Sequence, residues 1–224
     1  GVHYKIRFVN RLDRDTSGLM IVAKNSHCQD VMTKLMKSDK VIKRYIAVVH
    51  GIIKEEKGTI DLPIGRRDPD DIQRCVMEDG YPSVTHYKVL ERFYGGPAAC
   101  SRGDAGSARA GDNGAEGDES VFAPENGFTL LELRLETGRT HQIRAQFASR
   151  GLPLLGDGKY GSHSKLPNIA LWAVRLTVPH PTDGHPVCAT CLPTGEPWSR
   201  FDLPKGQMQN PKNTPNDSVT EPLI

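Results

Sequence analysis

The sequence lacks any apolar run that approaches the roughly 20 residues needed to cross a bilayer, and no signal-peptide pattern opens it. It has only five cysteines, an odd and widely scattered set: Cys28, Cys75, Cys100, Cys188 and Cys191. A chain of 224 residues does not need disulfides to be stable, so we expect reduced thiols. These absences predict a cytoplasmic protein that has no membrane partner.

A large excess of charge is also missing, because the formal net charge is only +2. The charge is unevenly distributed, however. Residues 95–126 contain six acidic residues and two arginines, a net charge of −4, which leaves +6 for the rest of the chain. This basic remainder is compatible with a phosphate-rich partner, although a solvated surface of mixed charge explains the charge alone equally well.

Large apolar side chains are nearly absent from residues 95–126, so this segment cannot offset the entropy of ordering itself. We therefore predict a disordered insertion between two strands. The polar residues 205–224 predict a flexible C-terminal tail. The rest of residues 1–204 is expected to form a single domain, since its length is sufficient for one large core.

Apolar and alternating segments predict a series of strands, at Leu19–Ala23, Arg44–Gly51, Gly58–Arg67, Ser83–Phe93, Phe128–Glu136 and Ile169–Val178. One helix is expected after Ser26 as its N-cap, and a second, amphipathic helix over Thr140–Arg150. Regular alternation of strands and helices is missing, which argues against a doubly wound fold that binds a nucleotide cofactor. The pattern predicts an α+β protein with a mixed, mainly antiparallel sheet, flanking helices and a central cleft.

The first polar cluster is Arg11–Gly18, a loop ahead of the first apolar strand. Its Asp13 lies between Arg11 and Arg14, whose charges favour the ionised carboxylate. Such a group is suited to act as a nucleophile or to stabilise positive charge, rather than to donate a proton. A surface loop with salt bridges explains the same residues, and is the commoner arrangement on physical grounds alone.

The second cluster is Lys43-Arg44-Tyr45, at the start of a strand. Because side chains alternate along a strand, Lys43 and Tyr45 share one face and Arg44 takes the other. A tyrosine beside a lysine can stack on a base and accept a proton. A partly buried strand tyrosine without such a role is the alternative.

The third cluster follows the strand that ends near Glu136 and runs to Arg144. A glycine turn followed by Thr140 as a helix N-cap exposes free amides, which favour an anion such as phosphate. Arg139 and Arg144 add fork-shaped donors for a carboxylate or a phosphate. A simple capped helix explains the threonine and the glycine, but not the concentration of polar donors.

Taken together, these stretches resemble the RluA-type family of pseudouridine synthases. The family's signature loop H-R-L-D-x-x-T-S-G matches Arg11–Gly18, its K-x-Y strand matches Lys43–Tyr45, and its G-R-T-H-Q-[IL]-R segment matches Gly138–Arg144. A further L-H-A element with a downstream His-Pro resembles Leu171–Ala173 and His180-Pro181. The likeness extends from about Arg7 to Phe201, apart from the insertion.

The resemblance implies an isomerase that converts specific uridines in ribosomal or transfer RNA to pseudouridine. RNA is then the partner of a monomeric enzyme, and neither a cofactor nor a metal is required. Asp13 corresponds to the catalytic carboxylate, and Tyr45 to the tyrosine that packs on the target base and takes its proton. Arg144 corresponds to the arginine that pairs with the aspartate.

The resemblance also implies a set of substrate-binding residues. Leu171 corresponds to the apolar residue that lines the uracil pocket, and Arg11 to an arginine that enters RNA where the base leaves in some members. The other residues expected to bind the substrate are Arg14, Lys43, Arg139, Thr140, His141 and Gln142. Arg150 and Lys159 are additional candidates for contacts with flanking phosphates.

The sequence departs from the family pattern at several places. Asn10 and Trp172 replace histidines, which affects the expected RNA contacts but not the catalytic set. The family's K-P-x-G lead-in strand is missing, so we expect an N-terminally incomplete catalytic domain. An RNA-binding protein that has lost catalysis is therefore an alternative.

A zinc module built from His180, His185, Cys188 and Cys191 is a further alternative. It is disfavoured because His180 is already explained by the family pattern and a second cysteine pair is lacking.

Overall fold

The computed structural model describes residues 5–38, 40–68, 70–94, 127–164, 166–201 and 203. The predicted insertion at 95–126 and the predicted tail at 205–224 lie outside these residues. The regular elements are β1 (Arg7–Phe8), β2 (Ser17–Gly18), β3 (Val22–Ala23), α1 (Ser26–Leu35), β4 (Ile42–His50), β5 (Lys57–Asp61), β6 (Ile64–Gly65), β7 (Cys75–Val76), β8 (Val84–Phe93), β9 (Phe128–Leu135), α2 (Gln142–Ser149), β10 (Leu171–Pro179) and β11 (Pro186–Thr190).

One large sheet organises the molecule, with the strand order β11-β10-β4-β9-β8-β5. Neighbours along this path are antiparallel, whereas the short β2 pairs with β10 in parallel. The predicted mixed, mainly antiparallel α+β architecture is therefore confirmed. Strand β7 and the edge strand β11 were not predicted from the sequence, and the predicted segment Gly58–Arg67 forms two strands, β5 and β6.

Strand β4 shows how the sheet is buried on both faces. Tyr45, Ala47 and Val49 face one side, where they pack in a core that includes Ile143 and Phe147 of α2. The alternate residues face the other side and pack with Trp198 and Phe201; they are Ile46 and Val48. A period of two with both faces apolar is typical of a central strand, so β4 forms the middle of the fold.

The loop that contains Asp13 is bonded to the far end of the chain. Ser17 and Gly18 pair with Trp172 and Ala173, and the amide of Leu19 donates to the Ala173 carbonyl over 3.0 Å. Gly18 has a φ of 116°, and a Cβ at this position would overlap the backbone of Ala173. Only glycine allows the two strands to approach this closely.

The two helices differ from the predictions in their N-terminal caps. Helix α1 is capped by Asn25, whose side chain accepts from the amide of Cys28 over 2.8 Å, so the prediction of Ser26 was wrong. Helix α2 is capped at His141 rather than Thr140, with no side-chain hydrogen bond. Its residues from Gln142 to Phe147 are all buried, so it is not the amphipathic helix that we expected. Among the described residues, no helix is long and apolar enough to span a membrane.

Candidate active site

A cleft of about 620 Å³ lies on one face of the sheet, between the loop before β2, the start of β4 and the turn before α2. Its lining includes most of the residues that the sequence predicted, namely Arg11, Asp13, Lys43, Tyr45, Arg139, His141, Gln142, Arg144 and Leu171. Arg14 and Thr140 lie outside this lining. The three sequence clusters therefore meet in space, although more than a hundred residues separate the first from the third.

The loop geometry brings Asp13 into the cleft. The Asp13 carbonyl accepts from the amide of Thr16 over 3.0 Å, which closes a turn. Three residues before Asp13, the side chain of Asn10 accepts a hydrogen bond from the amide of Ile21 over 2.8 Å. This bond holds the loop against the residue that precedes β3. The Asp13 side chain is only 18% exposed, so its charge is poorly shielded by water.

Of the arginines expected to act on Asp13, Arg144 lies beside its carboxylate, whereas Arg11 and Arg14 do not. Within the described part of the chain, the basic side chains within 4.0 Å of its carboxylate are Arg144, at 3.6 Å through Nη1, and His141, at 4.0 Å through Nε2. The neighbours Arg11 and Arg14 are exposed and make no such pair. Alternate residues of a loop point in different directions, so adjacency in the sequence was a poor guide here.

Arg144 is fixed by a second carboxylate that sequence reasoning missed. Its Nε and Nη2 donate to the two oxygens of Asp157 over 2.7 and 2.9 Å, a bidentate pair that is almost completely buried. Burial opposes the charge of Arg144, but the hydrogen bonds and charge of Asp157, with that of Asp13, raise its pKa. The arginine is therefore held as a cation, and Nη1 faces Asp13.

Tyr45 and Lys43 occupy the sheet face of the cleft, as strand alternation predicts, while Arg44 forms an ion pair with Glu132 at 2.9 Å. Burial and the negative charge of Asp13 raise the pKa of the Tyr45 phenol to about 12. Burial lowers the pKa of Lys43 from its ordinary value. Tyr45 is thus a neutral phenol at physiological pH, suited to stacking on a base.

The side chain of Gln142 connects the turn before α2 to β8 through four hydrogen bonds. Its Oε1 accepts from Thr137 Oγ1 over 2.8 Å and from the Arg139 amide over 3.0 Å. Its Nε2 donates to the Val84 carbonyl and to Thr85 Oγ1, over 3.0 and 2.9 Å. Because these four bonds use the capacity of the amide group, Gln142 holds the turn to β8 rather than offering a free donor to a substrate.

Arg139 lies at the mouth of the cleft. Its guanidinium stacks on the exposed ring of Tyr81 at 5.4 Å from the ring centroid, and its Nε donates to the Pro82 carbonyl over 3.3 Å. Both side chains are accessible, so their charge and apolar surface are available to a partner.

Comparison with known proteins identifies the family of this chain. Residues 2–149 match the family described as RNA pseudouridylate synthase. The chain belongs to this family. It is similar to YlyB of Bacillus subtilis, described as an uncharacterized RNA pseudouridine synthase, with 39% identity over 79% of this chain and 48% of the relative.

Further relatives agree with this family. It is 33% identical to the ribosomal large subunit pseudouridine synthase D of Nitrosomonas europaea, over 96% of this chain and 54% of the relative. The structure of human RNA pseudouridylate synthase domain containing 1 aligns with a TM-score of 0.64 and 27% identity, covering 84% of this chain and 69% of that one. The resemblance to the RluA-type family is confirmed, and this chain spans about half the length of the curated relatives it matches.

Two residues that the sequence motifs did not indicate, Asp157 and Tyr160, lie next to Arg144 and His141. Neither of them was assigned a role from the sequence. The Tyr160 ring lies 4.9 Å from the guanidinium carbon of Arg144, and its hydroxyl is 3.0 Å from Nδ1 of His141. A buried arginine is expected to pair with a buried acidic residue, so such a partner could have been anticipated for Arg144. Nothing in the sequence identified which acidic residue it is.

The four side chains of the zinc alternative do not converge. Among the described residues, His180 and His185 lie with Asp183 in the turn between β10 and β11, and neither Cys188 nor Cys191 belongs to this group. The Cys188 sulfur accepts instead from Nε of Arg175 over 3.2 Å.

Proposed function

We propose that this chain forms the catalytic part of an RNA pseudouridine synthase, with Asp13 as the catalytic carboxylate. The observation that carries the proposal is the placement of the Asp13 carboxylate 3.6 Å from the buried Arg144, in a cleft that Tyr45 and Leu171 also line. A carboxylate with one fixed cationic neighbour stays ionised and oriented.

The reaction breaks the bond from N1 of uracil to C1′ of ribose, rotates the base and joins C1′ to C5. Asp13 attacks C1′ or stabilises positive charge there as the first bond breaks. Tyr45 stacks on the uracil and Leu171, which is 4% exposed, supplies an apolar surface against it. The cleft volume of about 620 Å³ falls in the range of roughly 300–1,000 Å³ typical of small-molecule sites, which suits one everted nucleotide.

The proposed substrate is a uridine within RNA. Its reacting atoms are inaccessible while the base is stacked, so the nucleotide must be flipped out, at a cost of a few kcal/mol. We propose ribosomal RNA as the first substrate to test, since relatives of this chain are named for the ribosomal large subunit. Transfer RNA is the alternative. The exposed Arg11 and Arg139 at the cleft are placed to contact the backbone beside the flipped nucleotide.

The proposed enzyme is a cytoplasmic monomer that needs neither a metal nor a nucleotide cofactor. Support for a monomer comes from the completeness of the site, since Asp13, Tyr45 and Arg144 belong to one chain and line one cleft. The cysteines that the structure describes have free thiols, which agrees with a reducing compartment.

Replacement of Asp13 by Asn tests the function. We expect Asp13→Asn to abolish pseudouridine formation in a ribosomal RNA transcript while RNA binding persists, because the amide keeps the shape and loses the charge. Pseudouridine is measured by mass spectrometry of nucleoside digests, and binding by filter retention.

The matched control is Asp15→Asn, in the same loop but outside the cleft lining, which we expect to retain activity. Activity in Asp13→Asn would contradict the assignment. Binding without any activity in the wild-type chain would favour the non-catalytic RNA-binding alternative.

A further inference from the structure

His141 lies in the cleft in an unusual backbone conformation. Its φ is 56°, and it is the one non-glycine residue with a left-handed backbone in the part of the chain that the structure describes. This conformation is sparsely populated by residues with a Cβ and is found often at functional sites. The imidazole is 8% exposed, lines the cleft and places Nε2 4.0 Å from Oδ2 of Asp13.

The hydrogen bonds of Tyr160 determine which imidazole nitrogen carries the proton. The Tyr160 hydroxyl donates to the Arg74 carbonyl over 3.1 Å and accepts from the Arg74 amide over 3.0 Å. Its proton is therefore already used, so its 3.0 Å contact with His141 is a bond donated by Nδ1–H. Nε2 is left with a lone pair, and it is this atom that lies beside Asp13.

The environment of His141 favours the neutral ring. Burial lowers the pKa of His141; Arg144 and Arg74 lower it further, against the opposing charges of Asp13 and Asp157. A neutral imidazole with a free lone pair is a competent proton acceptor near pH 7.

Tyr45, which is expected from the family resemblance to take this proton, and two other side chains of the cleft are less suited to this task. Tyr45 has a pKa of about 12, so its phenol keeps its proton and its oxygen is a weak base. Arg144 is held as a cation by Asp157. Asp13 is engaged at C1′ in the proposed reaction.

We propose that Nε2 of His141 accepts the C5 proton of the target uracil after C1′ has been joined to C5. The C5–H bond breaks, its electron pair forms the C5–C6 double bond, and the electrons of the N1–C6 double bond move to N1, which takes a proton from water. The imidazolium then returns its proton to water. This role rests on the proposed function and assigns a further catalytic residue to the same site.

The experiment compares two RNA substrates in single turnovers, one with tritium at C5 of the target uridine and one with 5-fluorouridine there. The variant is His141→Asn, because asparagine tolerates a left-handed backbone. His27→Gln, an exposed histidine on α1, is the control. Thermal denaturation followed by circular dichroism establishes that each variant is folded.

We expect His141→Asn to slow tritium release by about 100-fold or more, the lower range of a general base. With 5-fluorouridine, which has no C5 proton, the transfer of C1′ from N1 to C5 should proceed at the wild-type rate. His27→Gln should match the wild type with both substrates.

Unchanged tritium release in His141→Asn would overturn the proposal. Equal slowing with both substrates would also overturn it, because it would show that His141 only positions other groups. If the wild-type chain itself released no tritium while it bound RNA, the proposed function would fail first.

Discussion

At the scale of single residues, the main feature of the site is an arginine shared unequally by two carboxylates. Asp157 takes Nε and Nη2 of Arg144 in two short hydrogen bonds, whereas Asp13 lies 3.6 Å from Nη1. Asp157 thus satisfies the buried charge and sets its orientation, while Asp13 makes no short hydrogen bond to Arg144, as the proposed attack on C1′ requires. A tighter bond to Asp13 would have reduced its nucleophilicity.

Removing the charge of Asp157 should destabilise the fold. Asp157 is 1% exposed, so Asp157→Asn leaves the buried Arg144 without its partner, and we expect the free energy of unfolding to fall by about 3–5 kcal/mol. Urea denaturation provides the measurement. Asp183→Asn, in an exposed turn, is the control and should leave stability nearly unchanged. A loss below about 1 kcal/mol at position 157 would show that the pair is not a structural anchor.

At the scale of elements, the position of Asp13 depends on the pairing of β2 with β10. The turn that contains Asp13 is followed at once by Ser17 and Gly18, which bond to Trp172 and Ala173. The amide of Ile169 adds a further bond to the Asp15 carbonyl over 3.3 Å. The loop is therefore fixed at both ends, by Asn10 at its start and by β2 at its end.

Substitution of Gly18 should disturb this pairing. Gly18→Ala introduces a methyl group against the Ala173 backbone at a φ of 116°, and we expect a loss of at least about 2 kcal/mol in unfolding free energy together with reduced activity. Urea denaturation and the pseudouridine assay measure the two effects. Gly158→Ala, where a Cβ meets nothing within 4 Å and φ is ordinary, is the control and should be close to neutral. Equal stability of the two variants would contradict this interpretation.

The sequence predicted some elements well and others poorly, for physical reasons. Strands β8 and β9 were predicted to within one residue at each end, because alternation in Phe128–Leu135 and the burial of its leucines leave a clear period of two. The pairing of Gly18 with Ala173 was missed, because two-residue strands carry no periodic signal. The prediction of Thr140 as the cap of α2 was wrong. Backbone geometry decides between Thr140 and His141, and no local sequence pattern indicates that geometry.

The same limits apply to the site. Asp13, Tyr45 and Arg144 could be found because they lie in motifs whose order matches a known family. Asp157 could not, because its role depends on a tertiary contact with Arg144 across a glycine-rich turn. Arg11 and Arg14 were correctly placed near Asp13 in sequence, but their side chains do not pair with it in the described structure.

At the scale of the whole molecule, basic groups on one side of the sheet are expected to bind the phosphate backbone of RNA. Arg11 and Arg139 are exposed at the cleft, whereas Arg150 lies at the opposite end of α2, outside the lining of the cleft. The proposed contacts with phosphate should release counterions, so binding should weaken with salt.

A salt titration separates these arginines. We expect Arg11→Gln to weaken RNA binding and to reduce the slope of log K against log salt by about 0.7, which corresponds to one lost contact with a single strand. Arg150→Gln is the matched control and should leave the slope unchanged. Affinities from fluorescence anisotropy at several salt concentrations give both slopes. Identical slopes in the wild type and Arg11→Gln would exclude a phosphate contact by Arg11.

The pairing of β2 with β10 also determines when during synthesis the Asp13 loop can take its folded position. A ribosome delivers residues 17 and 18 long before residues 172 and 173, so the emerging chain holds its Asp13 loop without the strand that anchors it. Strands β8 and β9, which lie closer to each other along the chain, can pair earlier. The Asp13 loop can therefore reach its final position only after residues 172 and 173 have been synthesised.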